Sequence, residues 1–461
     1  MSERRIGDHA IVIGASMGGL LAARALADFF TRVTIVERDT LPALGEHRKG
    51  VPQGQHAHGL LARGREILED FFPGLTQKLV AKGAQTGEVS ADALWHCAGD
   101  FLAPAHGGLT GLLLSRPLLE GQVRARVLAR ANVAIVDGRD VLGVMASEDR
   151  ACVTGVRVRR PDGGEDVFSA DLVVDASGRA SKSRAWLEAL GYAPPEQEEV
   201  RVGLSYTSRL YRRRPEHLGG KFGVLVTTQP PNTRGGAVLA IEGDRWIVSV
   251  SGYFGEHAPA NADGFEAFLA GLPSRAIYDL VRTAEPLSDF TTFKFPASTR
   301  NRYERLKRFP EGYLVFGDAI SRFNPVFGQG MSSAALQAAA LRDSLGRGGR
   351  ALWRGFFRRA ARVVDAPWSI AVGADLAFPR TEGRRGPMVN FLNWYIAKLH
   401  RAAHRDPVLA LAFHKVANLI APPPSILRPG IVWRVLRGNL GRHAGRAKAG
   451  AQFVGTQGAG E

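Results

Sequence analysis

One stretch near the N-terminus, HAIVIGASMGGLLAARALADFFTRVTIVERD at residues 9–39, limits the possible fold more than any other part of the sequence. The β-branched run of Ile11, Val12 and Ile13 is typical of a parallel strand that is buried on both faces. We predict a strand, a glycine-rich turn, a helix and a second strand at residues 9–13, 14–19, 20–30 and 32–36. This order indicates one half of a dinucleotide-binding fold.

The glycines of the turn predict contact with a pyrophosphate. Gly14 makes the tight turn, Gly18 leaves room beside it, and Gly19 lets the helix pack closely on the strand, so that the helix directs free N–H groups at the phosphates. Ser16 occupies the position of the second glycine in G-x-G-x-x-G. We therefore expect a slightly longer approach of the backbone to the phosphates, or a contact from the Ser16 hydroxyl. An ordinary strand-turn-helix unit is the alternative.

An acidic residue and a polar loop follow the second strand. Glu37 lies 23 residues after Gly14, where a carboxylate can bind an adenosine ribose. The Pro- and Gly-rich loop that follows runs to Gly54, and a helix is predicted at 58–72. The candidate cofactor or active-site contacts on this stretch are Arg38, Arg48, Gln53, Gln55, His56 and His58. A polar surface loop is the alternative for each of them.

A second corner follows a strand predicted at 171–174. It begins at Asp175 and includes Ser177 and Gly178, which belong to the segment DLVVDASG. The strand comes after a small β-meander whose strands are joined by turns such as PDGG. A meander at this place is how flavoprotein domains are built and is less expected of a plain NAD domain, so this segment favours FAD.

A third corner lies in GYLVFGDAISRFNPVFGQGM, where a buried strand, a loop and an Ala-rich helix from about Met331 follow one another. Asp318 at the end of the strand can accept a hydrogen bond from a ribityl or ribose hydroxyl. Gly328 and Gly330 allow the backbone to approach a flat ring, and the positive end of the helix can hold negative charge on a reduced flavin. A strand-loop-helix unit with a capping Asp is the alternative.

Between the second and third corners the pattern changes. Residues 200–296 form alternating apolar and polar runs, interrupted by two helices near 263–272 and 274–282. Such a run of strands predicts a mostly antiparallel sheet, inserted as a second lobe. We expect this lobe to form one wall of a substrate pocket.

The chain after residue 346 is predicted to be helical, with Pro breaks. Two helical stripes of apolar residues stand out, and we expect them to belong to the core rather than to a membrane anchor. The first stripe contains Trp353, Phe356, Phe357, Ala360 and Val364, and the second contains Met388, Phe391, Leu392, Tyr395, Ile396 and Leu399.

The net charge of +16 is concentrated in the same region. Residues 342–461 contain 20 Lys and Arg against 6 Asp and Glu, so the rest of the chain is nearly balanced. A basic nucleic-acid groove would not be confined to the tail, so we expect no nucleic-acid partner. Basic residues around aromatic faces do suit an anionic membrane, so peripheral contact with the inner face of a membrane stays open.

The composition restricts the class of protein further. Cys97 and Cys152 are the two cysteines, which leaves no disulfide framework and no cysteine metal site. No run of 18 apolar residues is present, and the first strand begins too early for a signal peptide. We expect a cytoplasmic protein without a metal.

With these motifs placed, residues 9 to about 345 resemble the class A flavoprotein monooxygenases, the superfamily of para-hydroxybenzoate hydroxylase. The segment VPQGQHAHGLL is similar to the bacterial branch that contains polyether epoxidases, with squalene epoxidase as a more distant relative. Gly178, Ser181 and Arg184 match the G-x-x-S-x-x-R pattern that the family associates with FAD and the nicotinamide donor, although Ser177 replaces an Asp of many members. The residues that match FAD contacts of the family are Gly14, Gly19, Glu37, Arg116, Gly317, Asp318, Pro325, Gly328 and Gly330.

The resemblance implies an α/β fold with a discontinuous FAD-binding domain, Rossmann-like and made of a parallel sheet plus a β-meander. An inserted, mostly antiparallel β-sheet domain would bind substrate, and a helical region would form the C-terminal part of the chain. The expected divisions are 1–72, 113–195 and 301–345 for the FAD domain, 73–112 and 196–300 for the substrate domain, and 346–461 for the helical region, with a disordered tail after about 446.

The resemblance also implies a reaction. NAD(P)H reduces FAD, O2 is captured as a flavin C4a-hydroperoxide, and one oxygen atom is transferred to a lipophilic polyketide, terpenoid or aromatic substrate as an epoxide or a hydroxyl group. Because a hydroperoxide donates oxygen electrophilically, an alkene needs no protein base, whereas a phenol benefits from one. His56 and His58 are the candidates for an acid or base.

Three alternatives follow from the same residues. A flavin-dependent reductase of prenyl double bonds would use no oxygen, although the aromatic-Pro signature of such enzymes is not evident in DFTTFKFPASTR. A flavin halogenase is disfavoured because the W-x-W-x-I-P element is absent. A basic membrane- or nucleic-acid-binding module that keeps FAD as a structural group is the non-enzymatic alternative.

Overall fold

The protein is described by a computed structural model that covers residues 5–48, 50–348 and 351–440. The strands in these ranges are β1 Gly7–Ile13, β2 Phe30–Val36, β3 Gly59–Leu60, β4 Gln85–Glu88, β5 Ala93–Cys97, β6 Asp100–Phe101, β7 Thr110–Leu113, β8 Val133–Val136, β9 Val141–Ala146, β10 Val153–Arg159, β11 Glu165–Ser169, β12 Leu172–Asp175, β13 Gln197–Arg212, β14 Gly223–Val226, β15 Arg234–Ile241, β16 Arg245–Gly252, β17 Thr291–Asn301, β18 Tyr313–Val315 and β19 Ser321–Arg322.

The α-helices in the same ranges alternate with these strands and then fill the C-terminal region. They are α1 Met17–Leu26, α2 Ala62–Phe71, α3 Leu75–Ala81, α4 Arg116–Leu128, α5 Ser183–Ala189, α6 Ala262–Ala270, α7 Ala276–Thr283, α8 Gly330–Arg347, α9 Leu352–Asp375, α10 Pro387–Ala403, α11 Pro407–Ala417 and α12 Pro429–Leu440. Among the helices of the described ranges, none combines the length and apolar character that crossing a membrane requires.

A five-stranded parallel sheet lies at the centre of the N-terminal part, with the strand order β18-β12-β1-β2-β8. β1 is the middle strand, and its last five residues are buried because helices cover both faces of such a sheet. All five strands run in one direction, so the loops after Ile13, Val36, Asp175 and Val315 emerge at one edge. The three predicted corners therefore meet.

Three other sheets complete the β-structure of the described residues. β9, β10 and β11 form the predicted meander. A large sheet has the order β19-β17-β13-β16-β15-β14-β5-β6 and is antiparallel except for the β14–β5 pair. A small sheet joins β3, β7 and β4. The predicted α/β class, with a parallel sheet, a meander and a mostly antiparallel second sheet, is confirmed, while the exact domain divisions stay a prediction.

The helix predicted at 58–72 is wrong at its start. Residues 59–60 pair with β7 as the short strand β3, and α2 begins at Ala62. The backbone N–H groups of Ala62 and Arg63 donate to the side-chain and backbone oxygens of Asn418, at 3.1 and 3.4 Å. A distant residue thus supplies acceptors for the free N–H groups at the start of this helix, and sequence periodicity could not reveal it.

The C-terminal helices carry the two predicted apolar stripes. All five residues of the first stripe, on α9, are buried, as expected for a core. In the second stripe, on α10, Tyr395 and Leu399 are buried but Met388 and Phe391 are exposed, so the core prediction holds for part of it. The tail predicted after residue 446 lies outside the described residues.

Candidate functional site

A single continuous cavity of about 2060 Å³ lies where the loops of the parallel sheet meet the large sheet and the C-terminal helices. Small-molecule pockets usually have roughly 300–1,000 Å³, so this space is large enough for a dinucleotide and a second ligand. The predicted site residues that line it are Gly14, Ser16, Gly18, Glu37, Arg38, Arg48, Gln53, His56, His58, Arg116, Ser177, Gly178, Gly317, Asp318, Pro325, Gly328, Gly330 and Met331.

Two predicted cofactor contacts do not line the cavity. Gln55 is exposed at the end of a 3₁₀-helical turn, Pro52–Gln55, while Gln53 on the same turn lines the cavity. Residues two apart on such a turn point in different directions, which is why Gln55 does not line the cavity. A contact of Gln55 with a cofactor stays a prediction. Gly19 also lies away from the cavity: its role is packing, because a Cβ there would lie 1.8 Å from the carbonyl oxygen of Gly14.

The first corner needs glycine at Gly14, whose φ of +99° is left-handed and whose added Cβ would lie 3.0 Å from the carbonyl oxygen of Ala176. At Gly18, which lines the cavity, an added Cβ would make only ordinary contacts of 3.9 Å with Phe316, so any need for glycine there would come from a bound ligand and stays a prediction. Ser16 is the N-cap residue of α1 and accepts a hydrogen bond of 3.2 Å from Arg116 Nη2. The Ser16 hydroxyl therefore takes part in the site through Arg116.

A buried ion-pair network joins the first corner to the polar loop. Arg48 donates to Glu37 and Glu120, each at 2.8 Å, and to the carbonyl oxygen of Ala15 at 2.9 Å. Glu120 also accepts from Arg116 Nε at 3.0 Å. Arg48 was predicted as a cofactor contact, and the structure shows that it also ties the loop to α4 and to the end of β2.

The charges in this network support one another. Burial acts against the charged form of Glu120, but the guanidinium groups of Arg116 and Arg48 outweigh it, so that the pKa of Glu120 is lowered. Burial likewise acts against charge on Arg48, yet Glu37 and Glu120 leave its pKa raised. Sequence reasoning missed Glu120, although it lies one helical turn after Arg116.

Asp175 organises the second corner, and sequence reasoning gave it no role. Its buried carboxylate accepts hydrogen bonds from the backbone N–H of Ser177 at 3.0 Å, from the Ser181 hydroxyl at 2.6 Å and from the Ser183 hydroxyl. Arg184, the last residue of the family pattern, donates to the Pro195 carbonyl oxygen at 2.8 Å and does not line the cavity. Ser181 therefore holds the loop of the second corner, whereas Arg184 ties the start of α5 to the segment around Pro195.

The third corner presents an acceptor and an open cradle. Asp318 makes no hydrogen bond within the described residues and its side chain is open to the cavity. Although its side chain faces the cavity, Asp318 lies deep inside the protein and away from bulk water, which raises its pKa against the opposing effect of Arg116 and Arg322. Gly328 has a φ of +65°, and neither it nor Gly330 has an atom within 4 Å of an added Cβ. A flat ring could approach this backbone closely.

The two candidate acid–base residues line the cavity between the corners and the large sheet. His56 Nδ1 lies 2.7 Å from Ser208 Oγ, and His58 Nδ1 donates to the His56 carbonyl oxygen at 2.8 Å. Burial lowers the pKa of His56 to about 4 and, with the nearby Arg116, that of His58 to about 3. Both imidazoles are therefore neutral near pH 7, and their catalytic role stays a prediction.

The far part of the cavity is mainly apolar and lies against the large sheet and the C-terminal helices. Its lining side chains include Tyr206, Phe222, Leu225, Phe293, Phe295, Phe323, Trp368, Leu392, Ile396 and Phe413. Within the described ranges, no three His, Cys, Asp or Glu side chains are grouped as a metal site requires.

A buried polar cluster stands behind this apolar wall. Tyr253, which lines the cavity, donates to Asp375 Oδ1 at 3.1 Å, and Asn324 Nδ2 donates to the same oxygen at 2.8 Å. Asp375 Oδ2 has no hydrogen-bond partner in the described residues. Burial raises the pKa of Asp375 to about 7, against the lowering effect of its two hydrogen bonds.

This cluster predicts a pH-dependent stability. The folded protein keeps the Asp375 proton up to about pH 7, whereas the ordinary pKa is 3.8. The stability that this proton contributes is therefore fully present below pH 3.8, decreases as the pH rises, and is gone once the pH has passed through 7. Between about pH 6 and pH 8 the loss is about 1.4 kcal/mol. We expect Asp375→Asn to remove this part of the dependence in urea unfolding. An unchanged difference between the two pH values would contradict the assignment.

Comparison with known proteins agrees with this geometry. The sequence profile of the FAD binding domain matches residues 9–348. Protein Rv3254 of Mycobacterium tuberculosis is 34% identical over 452 residues, which cover 94% of each chain. The FAD-dependent monooxygenase dpchE of Colletotrichum higginsianum is 27% identical over 204 residues, or 44% of this chain and 40% of that one.

A similar solved structure is that of pqsL, described as a probable FAD-dependent monooxygenase from Pseudomonas aeruginosa. It has a TM-score of 0.60 and 20% sequence identity, and the match covers 80% of this chain and 98% of that one. At this identity the likeness concerns the fold.

Proposed function

The chain belongs to the FAD-binding-domain family, and from this premise we propose that it is an FAD-dependent monooxygenase that uses NAD(P)H and O2 to epoxidise or hydroxylate a lipophilic polyketide, terpenoid or aromatic molecule. The observation that supports the proposal most is the continuous cavity, which runs from the three glycine corners to an apolar chamber. A cofactor site and a substrate site share this space.

The residues present fit FAD. The N-terminus of α1 beside Gly14 and Ser16 would present backbone N–H groups to a pyrophosphate, and Glu37, which lines the cavity at the end of β2, would accept a hydrogen bond from an adenosine ribose. Asp318 supplies a free acceptor for a ribityl hydroxyl. The open backbone at Gly328 is a cradle for the isoalloxazine ring.

Bound FAD supplies the electron transfer and the activation of O2, and the protein binds, orients and excludes water. The N-terminus of α8, which begins at Gly330 and lines the cavity, would stabilise negative charge on a reduced ring bound beside it. Aromatic side chains such as Phe293 and Phe295 keep the chamber dry. The neutral His56 and His58 can orient a substrate oxygen through hydrogen bonds, but they carry no charge near neutral pH.

The proposal predicts coupled consumption of oxygen and reductant. We expect the purified protein to be yellow and, with a suitable lipophilic substrate, to consume NAD(P)H and O2 in equal amounts and to place one oxygen atom in the product. Mass spectrometry of extract incubated under heavy-isotope oxygen measures the incorporation and narrows the substrate. Folded, colourless protein that rejects FAD would overturn the proposal.

An anaerobic assay separates the two enzymatic candidates. A monooxygenase should stop when O2 is removed, whereas a reductase of prenyl double bonds should continue to turn over. Sustained anaerobic product formation would therefore replace the proposal with the reductase. A flavin that never turns over in either assay would favour the non-enzymatic module.

A further inference from the structure

We propose that the outward faces of α10 and α12 form a docking surface for an anionic membrane at the mouth of the cavity. We define this α10/α12 face by Met388, Phe391, Trp394, Trp433 and Leu436. The feature that demands an explanation is the exposure of large apolar side chains on two neighbouring helices.

These side chains are far more exposed than a core would allow. Their exposed fractions are 64% for Met388, 47% for Phe391, 56% for Trp394, 58% for Trp433 and 54% for Leu436. Met388, Phe391 and Trp394 are spaced three residues apart and so lie on one side of α10. Trp433 and Leu436 have the same spacing on one side of α12. The helices pack on each other through buried Tyr395, Leu399 and Val435, so the exposed faces are not needed for that packing. Large exposed apolar side chains gathered on neighbouring helices in this way mark interaction sites.

The charge around the face indicates an anionic partner. Residues 383–440 contain nine Lys and Arg and one acidic residue, Asp406, which already pairs with Arg434 at 2.9 Å. Arg428 and Arg437 are exposed, and the Arg437 guanidinium lies 5.4 Å from the centre of the Trp433 ring. Trp and Phe surrounded by basic side chains suit the interface between lipid headgroups and hydrocarbon.

The α10/α12 face is continuous with the cavity. Met388 and Arg384 are both exposed and also line the cavity, while Leu392 and Ile396 line it from the inner side of α10. A lipophilic molecule dissolved in the membrane could thus enter without crossing water. This step from docking to substrate delivery rests on the proposed function, whereas membrane binding itself does not.

Flotation of the full chain with lipid vesicles tests the docking surface. We expect binding at low salt to vesicles of phosphatidylglycerol and phosphatidylcholine, weaker binding at high salt, and little binding to phosphatidylcholine alone. The double variant Trp394→Ser, Trp433→Ser should bind about tenfold more weakly. The variant Arg428→Glu, Arg437→Glu should lose the preference for the anionic lipid.

A matched control is available at the end of α3, where Lys78, Val80 and the next-turn residue Lys82 are exposed, far from α10 and α12 in the sequence. The triple variant Val80→Ser, Lys78→Glu, Lys82→Glu should bind vesicles as the unaltered protein does. Circular dichroism and thermal unfolding should show that each variant is folded. Because flotation needs neither FAD nor turnover, failure of the proposed enzyme and failure of the docking surface are distinguishable.

Several results would overturn the docking surface. One is absence of vesicle binding at low salt, and another is equal binding by the tryptophan variant and the α3 control. A dimer in solution that the tryptophan variant dissociates would assign the face to a second copy of the chain. If the charge variant abolished binding of duplex DNA but left vesicle binding unaffected, the basic side chains would be a nucleic-acid site and not part of a membrane-docking surface.

Discussion

Asp318→Ala is expected to weaken FAD binding by about 10- to 100-fold, so that the purified variant is nearly colourless. Asp318 is open to the cavity and bonds to no described residue, so its carboxylate is free to accept hydrogen bonds from a bound ligand. Hydrogen bonds to charged groups contribute roughly 1.5–3 kcal/mol, and 1.4 kcal/mol corresponds to a tenfold change in affinity. Flavin absorbance per polypeptide and titration with FAD measure the loss.

The fold of this variant should be unaffected, because removing a group without protein partners leaves no buried donor or acceptor unpaired. Asp263→Ala is the matched control, since Asp263 is exposed on α6 in the other lobe. That protein should keep its flavin. If Asp318→Ala were as yellow as the control, the third corner would not hold the cofactor and the proposed site would have to be moved.

Glu120→Ala is expected to lower the free energy of unfolding by about 3–5 kcal/mol, because it leaves the buried guanidinium groups of Arg48 and Arg116 without this partner. The Glu120 pKa is lowered, so the contribution is present above its ordinary value of 4.5 and disappears as the pH falls through the lower, folded value. Urea unfolding at neutral pH and at low pH measures both effects.

An exposed pair provides the comparison. Glu165 lies 3.2 Å from Arg157 on the meander, and both side chains are about half exposed. Glu165→Ala should cost no more than about 1 kcal/mol. Equal losses in the two variants would mean that the buried network contributes no more than a surface pair does.

The sequence predicted the parts of the site that depend on neighbouring residues. Gly14, Gly178 and Gly317 each follow a strand within three positions, so the strand, the turn and the special backbone could be inferred together. The direction shared by parallel strands then brought the three corners to one edge.

The parts that the sequence did not reveal depend on distant contacts or on local detail. Glu120 meets Arg48 across 72 residues, and Asp375 meets Tyr253 across 122. Nothing in the neighbourhood of either carboxylate identifies its partner. The start of α2 was misplaced for a smaller reason, because the two-residue strand β3 occupies the first part of the expected helix.

The contact of Asn418 with the start of α2 has a consequence for how the protein is made. Ala417 next to it accepts a hydrogen bond of 3.2 Å from Gln329, which precedes α8. The start of α2 and the segment before α8 are thus both held by residues 417 and 418, which are synthesised after the whole nucleotide-binding part of the chain. While an early nucleotide-binding unit can fold during translation, the finished chamber has to wait until residues 417 and 418 have been synthesised.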